Sequence, residues 1–277
     1  MALNFSVLMS IYYKENPDYF NSCMNSIVIQ TSPPTEIVLV KDGPLPEKLD
    51  KAILKWKEKL GDMLKLVPLE KNVGLGRALQ IGLLNCKHEI IARVDTDDIC
   101  RKDRFEKQIK FLENNPKIDI VGSWIGEFER DINNIICIRK VPLTHDKIKK
   151  YARFRSPLNH PSVVFRKQAV LESGGYLPFQ GLEDYYLWVR MLKSGKRFAN
   201  INEPLVLFRL DKNTFARRGG IKYFLNELKL QKYFLDIDFI NFPIFIYNLI
   251  VRIFVRLIPW KIRKCFYKFF LRKKVNI

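Results

Sequence analysis

Histidine and paired cysteines are scarce in this 277-residue chain, and acidic residues are scarce relative to basic ones. Only His88, His145 and His160 are present, and the five cysteines (Cys23, Cys86, Cys100, Cys137, Cys265) are widely spaced with no C-x-x-C pair. That pattern excludes a zinc ribbon or a disulfide framework and reads as reduced thiols in the cytosol. Acids are outnumbered, 29 Asp and Glu against 48 Lys and Arg, giving a formal charge of +19. A chain this basic meets something anionic: nucleic acid, an acidic membrane surface or a phosphorylated substrate. The N-terminus, MALNFSVLMSIYYKE, has no basic stretch followed by a long apolar run, so no signal peptide is expected and the working part is placed in the cytoplasm. Internal repeats and low-complexity segments are missing as well, and a hydrophobic share of 47% excludes a disordered chain.

What is present in the first hundred residues is an alternation of short buried-strand runs with helix-period segments. Strands are predicted at residues 5–12 (FSVLMSIY), 36–40 (EIVLV), 64–68 and 89–94 (EIIARV), and helices at 18–30, 47–59 and 74–84. Apolar Phe20, Cys23, Met24, Ile27 and Val28 show the helical spacing. A β-α-β-α-β-α-β order implies a parallel, doubly wound sheet that binds ligands beyond the carboxyl ends of its strands. Past Arg101 the pattern changes, to helices at 104–114, 145–154 and 182–193 and strands at 118–128, 135–141, 162–166 and 197–209. Residues 1–215 are expected to form one domain, with a nucleotide-binding half (1–100) and an acceptor half (101–215).

The polar residues just after the strands carry the chemistry. Asp42 follows EIVLV, and Asp95, Asp97 and Asp98 follow EIIARV as D-T-D-D. Three carboxylates in four residues repel one another, and a hard oxygen-seeking cation, Mg²⁺ or Mn²⁺, would relieve that repulsion while leaving positions open to phosphate. The alternative is an acidic turn that caps the following helix. Glu183 and Asp184 open a helix that continues Tyr185, Tyr186, Leu187, Trp188, Val189, Arg190. Either is a first-turn acid favoured by the helix dipole, or one is a general base facing an acceptor hydroxyl. His160, in N-H-P-S, is a candidate for acceptor or phosphate contact or a structural histidine. Trp188 is a packing residue or an acceptor platform, and Arg190 reaches a phosphate or a structural carboxylate. Gly74-Leu75-Gly76 lacks the third glycine of a dinucleotide fingerprint and follows the third strand, which argues against a dehydrogenase.

Together these segments resemble family-2 glycosyltransferases of GT-A fold, of the bacterial type that builds capsule, exopolysaccharide or lipopolysaccharide. The resemblance is carried in order by SVLMSIYYKE, EIVLVKDGP, NVGLGRAL, ARVDTDDICRKDRFEKQ, NHPSVVFRK, GLEDYYLWVRML and EPLVLFR, over roughly residues 5 to 210. It implies an α/β, Rossmann-like, mostly parallel central sheet flanked by helices. It also implies an inverting, metal-dependent transfer of one sugar from a nucleotide-sugar donor, UDP-linked, to a glycan or lipid-linked glycan acceptor. Tyr12, Glu15 and Asp42 would hold the base and ribose. Asp95-Thr96-Asp97 would be the D-x-D element, with Asp97 or Asp98 the metal ligand. Arg104 would lie near the donor, and Asp184 would be the base with Glu183 beside it. Two departures stand out: Lys41-Asp42-Gly43-Pro44 replaces the usual Asp-Asp-Gly-Ser, and the Q-x-x-R-W motif of processive synthases is missing. Rival readings are a non-catalytic nucleotide-sugar-binding protein and a sugar nucleotidyltransferase.

Residues 216–277 form a basic tail; from Gln231 on, ten Lys and Arg face two Asp. Asn248, Arg252 and Arg256 make one polar stripe in an apolar helix-period run, and Lys264, Lys268 and Arg272 make another after Pro259. The first run is too short and too charged to span a bilayer. Two amphipathic helices lying on an anionic membrane surface are expected, peripheral on the inner face of the cytoplasmic membrane. Packing on the protein's own core is the alternative, and nucleic acid is not expected because no binding motif accompanies the charge.

Overall fold

The computed structural model describes residues 3–210, 220–257 and 273–274. Strands β1 (Phe5–Ile11), β2 (Glu36–Lys41), β3 (Leu64–Pro68) and β4 (Ile90–Arg93) pair in parallel in the order β4-β1-β2-β3. Helices cover both faces of a parallel sheet, so its strands read as near-continuous apolar runs. Val7, Met9 and Ile11 of β1 enter one core cluster and Leu8 enters the other. Helices α1 (Pro17–Val28), α2 (Glu47–Leu60) and α3 (Leu75–Asn85) make the crossovers. The apolar stripes Phe20/Cys23/Met24/Ile27 and Leu49/Ala52/Ile53/Trp56 bury at the spacing the sequence shows. Gly82 lets α3 lie close on the sheet, because a Cβ there would stand 2.5 Å from Leu8 Cδ1 and 2.7 Å from Val40 Cγ2.

After β4 come β5 (Ile99–Cys100), α4 (Arg104–Asn114), β6 (Ile120–Phe128), β7 (Cys137–Arg139), α5 (His145–Ala152), β8 (Val164–Arg166), α6 (Lys167–Glu172), α7 (Glu183–Lys193) and β9 (Phe198–Arg209). β8 pairs antiparallel with both β4 and β6, which makes the second half of the sheet mixed. β9 runs parallel to β6, shifts register near Trp124, and pairs antiparallel with β5. Neither β5 nor α6 is foreseen from the sequence: two and six residues are too short to show a period. Cys23, Cys86, Cys100 and Cys137 are buried thiols outside any disulfide.

Helices α8 (Ile221–Asp236) and α9 (Phe242–Leu257) follow, and β10 (Lys273–Lys274) pairs with β7. No helix among the described residues is long and apolar enough to cross a membrane. Phe234 of α8 packs its ring 4.9 Å from that of Tyr185 on α7. The polar stripe of α9 turns inward, opposite to its expected orientation toward lipid headgroups. Asn248 Nδ2 donates to Arg153 O (2.8 Å) and Gln231 Oε1 (2.7 Å), Arg252 Nη2 donates to Phe154 O (3.0 Å), and Arg256 forks onto both oxygens of Glu227 (2.7 and 2.8 Å). The reason is local: the carbonyls of residues 153 and 154 and the buried Glu227 need donors, and burying those polar groups unpaired costs more than exposing aliphatic side chains. The second stripe, Lys264, Lys268 and Arg272, lies outside the described residues.

Glu227 is the acceptor for Arg256 and lies 3.6 Å from Arg252 Nε. Glu227→Ala leaves those guanidinium groups without their carboxylate and is expected to lower the unfolding free energy by about 3 kcal/mol, read from urea denaturation.

Candidate active site

Because β1, β2 and β4 are parallel neighbours, the residues that follow them share one edge of the sheet. Tyr12 and Glu15 follow β1, Asp42 follows β2, and Asp95 follows β4. The amide of Val94 donates to Leu8 O (3.1 Å), and the chain then turns, with Asp98 N donating to Asp95 O (3.3 Å). It returns as β5, held by β9. The D-T-D-D turn is therefore fixed at both ends by sheet hydrogen bonds.

Oxygens of Asp95, Asp97 and Asp98 all lie within 4.8 Å of one another. Three full charges at that separation repel by roughly 3 kcal/mol per pair at an effective dielectric constant near 20. Two arginines temper this. Arg93, on the last residue of β4, pairs with Asp95, while Arg209, ending β9, donates Nε to Asp97 O (3.1 Å) and its amide to Asp98 Oδ1 (3.0 Å). Asp98 is only 1% exposed and its Oδ2 has no hydrogen-bond partner. Burial first, then the charges of Asp97 and Asp95, push its carboxyl well above the usual range. A buried carboxylate oxygen without a partner beside two more carboxylates is a donor set that fits a hard divalent cation.

The N-terminus of α7 is the second acidic element near this turn. Gly181 has φ +78°, a left-handed turn that aims Glu183 and Asp184 into the helix start. Burial, with Asp184 adding to it, raises the Glu183 carboxyl above its ordinary value. Tyr176 ties the two sides together. Its buried phenol lies within the fields of Arg93, Asp184 and Asp95, and its hydroxyl contacts His160 Nε2 at 3.1 Å. Burial and the charge of Arg93 hold the His160 imidazole well below its usual range, so it is neutral at pH 7.

Four of the singled-out residues are held by the protein's own groups. Asp42 is turned away from open crevice: Oδ1 accepts from Val73 N (2.7 Å), and Oδ2 accepts from Gly74 N (3.1 Å) and Asn72 Nδ2 (3.0 Å). It braces the loop before α3. Arg104 is fully buried and donates to Arg93 O (2.7 Å), Cys100 Sγ (3.1 Å) and Gln108 Oε1 (3.0 Å), so it supports the acidic turn from behind. Trp188 is also fully buried, edge-on to His160 and Phe198, which removes it as an acceptor platform. Arg190 donates to the carbonyls of Ser173 (2.7 Å) and Gly175 (2.8 Å) and lies over the Tyr186 ring, a structural role. Arg93, Tyr176 and Arg209 are the site residues that sequence reasoning overlooked. Arg93 and Arg209 stand inside motifs already singled out (EIIARV and EPLVLFR), and a basic residue ending a strand beside an acidic turn was the available signal.

Asp42→Ala removes the acceptor of three donors and is expected to lower stability by about 3 kcal/mol, measured by urea titration. A direct contact with nucleotide predicts the opposite pattern, unchanged stability with weakened UDP affinity.

Residues 6–174 match the family described as glycosyl transferase family 2. The chain is 41% identical over 269 residues, 97% of each chain, to a UDP-Gal:alpha-D-GlcNAc-diphosphoundecaprenol beta-1,3-galactosyltransferase of Escherichia coli. It is 38% identical, over 95% of this chain and 98% of the other, to the amylovoran biosynthesis glycosyltransferase AmsE of Erwinia amylovora. Its fold is similar to that of a Pyrobaculum calidifontis mannosyltransferase in complex with GDP-Man and Mn²⁺, with a TM-score of 0.65, 19% identity, and coverage of 94% of this chain and 72% of that one. A parallel half-sheet with acids at its edge, closed by a mixed half, is the GT-A arrangement, and the chain belongs to glycosyl transferase family 2, beside its members in bacterial polysaccharide biosynthesis.

Proposed function

We propose that this protein transfers a single sugar, with inversion, from a UDP-sugar to a lipid-linked glycan at the inner face of the cytoplasmic membrane. The observation that carries this reading is that two acidic elements, the 95–98 turn and the start of α7, both lie near the buried Tyr176 phenol. The Escherichia coli relative, named for a UDP-Gal donor and a diphosphoundecaprenol-linked acceptor, supports the donor and acceptor classes. Residues 1–100 serve the donor and 101–215 the acceptor, with 216–277 toward the membrane.

Asp97 and Asp98 would hold a divalent cation, Mn²⁺ or Mg²⁺, with Asp95 kept in place by Arg93. When bound, that ion neutralises charge on the departing diphosphate. Tyr12 and Glu15, which follow β1, would contact the nucleotide. Asp184 accepts the proton of the acceptor hydroxyl while that oxygen bonds to the anomeric carbon. The anomeric C–O bond breaks, and its electron pair leaves with UDP. Attack opposite the leaving group inverts the configuration, so an α-linked donor gives a β-linked product. Glu183, its carboxyl raised by burial, shares the helix start with Asp184.

The test incubates purified protein and Mn²⁺ with a panel of nucleotide sugars and a lipid-diphosphate-linked GlcNAc acceptor, reading released nucleoside diphosphate. Release from one donor is expected. Asp184→Asn should lower kcat by about 10²–10⁴-fold while UDP binding persists. Pyrophosphate as the product would identify a nucleotidyltransferase, and UDP binding without turnover of any donor would identify a binding protein; either overturns the reading.

A further inference from the structure

Helix α9 is amphipathic in the reverse sense. Its polar stripe (Asn248, Arg252, Arg256) is bonded into the protein, and its opposite face leaves large apolar side chains in the open. Phe242 is 62% exposed, Ile250 50% and Phe254 65%, with Ile246, Tyr247, Val251 and Ile253 exposed between them. Ile246, Ile250 and Phe254 stand four residues apart, so they form one line down the outer surface. Contiguous exposure of this kind is not what a helix facing water shows.

We propose that this outer face of α9 is a membrane-docking surface that lies in the interface of an anionic bilayer. Charge argues for that occupant. The segment 147–155, which packs against α9, carries Lys147, Lys149, Lys150, Arg153 and Arg155 with no acid, and Phe154 within it sets its ring 5.9 Å from that of Tyr247. The chain beyond α9, residues 258–277, adds seven Lys and Arg and no acid. An apolar face bordered by cations fits acyl chains below and anionic headgroups beside them. A second copy of this chain, with a formal charge of +19, would bring like charges together at the same border.

Position argues the same way. α8 packs on α9 and reaches the loop that leads into α7: Asn226 Nδ2 donates to Gln180 O (3.3 Å), and Tyr223 OH donates to Gly181 O (3.5 Å). Docking by α9 therefore brings the start of α7 near the bilayer surface, where a lipid-linked acceptor presents its sugar. This placement rests on the acceptor reading above, whereas the docking face itself does not.

The experiment is sedimentation of the full-length protein with vesicles of phosphatidylglycerol and of phosphatidylcholine, with neither donor nor acceptor present. Binding to the anionic vesicles is expected, weaker by at least about tenfold on phosphatidylcholine. Ile250→Glu/Phe254→Glu should reduce binding to the anionic vesicles by at least about tenfold, since each side chain alone accounts for roughly that factor. Unchanged circular dichroism and unchanged UDP release with a soluble acceptor would show that the variant is folded, and they separate loss of docking from loss of transfer. The proposal is overturned if the double variant binds like the parent. It is equally overturned if binding falls only when Lys261, Arg263 and Lys264 are replaced by Gln, or if the parent is a dimer that the double variant dissociates.

Discussion

Crowding Asp95, Asp97 and Asp98 at the end of β4 puts like charges closer together than a folded chain tolerates without compensation. The surrounding structure supplies it in layers. Arg93 faces Asp95 from the strand itself, and Arg209 holds the turn from β9 through Asp97 O and Asp98 Oδ1. Behind them Arg104 anchors the backbone of Arg93. What the layers leave is one buried oxygen of Asp98 with no partner. A site that retains such an atom after this much bracing is organised for something that arrives from outside, and a divalent cation with a diphosphate matches it in charge and ligand type.

The same constraint explains the mixed half of the sheet. The parallel half alone would place an acidic turn at an open edge. β8 and β6 continue the sheet antiparallel from β4, and β9 turns back to pair with β5. That return brings Arg209 to the turn, while the segment between β8 and α7 carries Tyr176 and then Glu183 and Asp184 to the crevice. His160 packs between Tyr176 and Trp188 on this side of the site. The acidic turn and the start of α7 are thus separate elements held by one core, as the proposed displacement, with distinct leaving-group and attacking faces, requires.

Much of this was legible in the sequence, and the exceptions have physical causes. Strands β1, β2 and β4 are buried on both faces, so their apolar runs mark them clearly; α4 was readable to the residue because its buried face, Phe105, Gln108, Ile109 and Leu112, keeps strict helical spacing. D-T-D-D stood out because only a ligand or an unusual turn justifies such crowding. Asp42 and Arg104 mark a limit of sequence reading: a charged side chain at a strand end or helix start looks the same whether it meets a ligand or satisfies backbone groups. Only the positions of Val73 N and Gly74 N decide it for Asp42. In α9 the helical period correctly sorts polar from apolar residues, but periodicity has no sign, and the carbonyls of Arg153 and Phe154, far away in sequence, determine which side faces in.

The most direct test of the acidic turn as a cation and diphosphate site is calorimetric titration of UDP into the protein with Mn²⁺ and again with the metal chelated. The account predicts that UDP binds at least about tenfold more weakly without metal, and that Asp97→Asn abolishes the difference. Equal UDP affinity in the two conditions would contradict it.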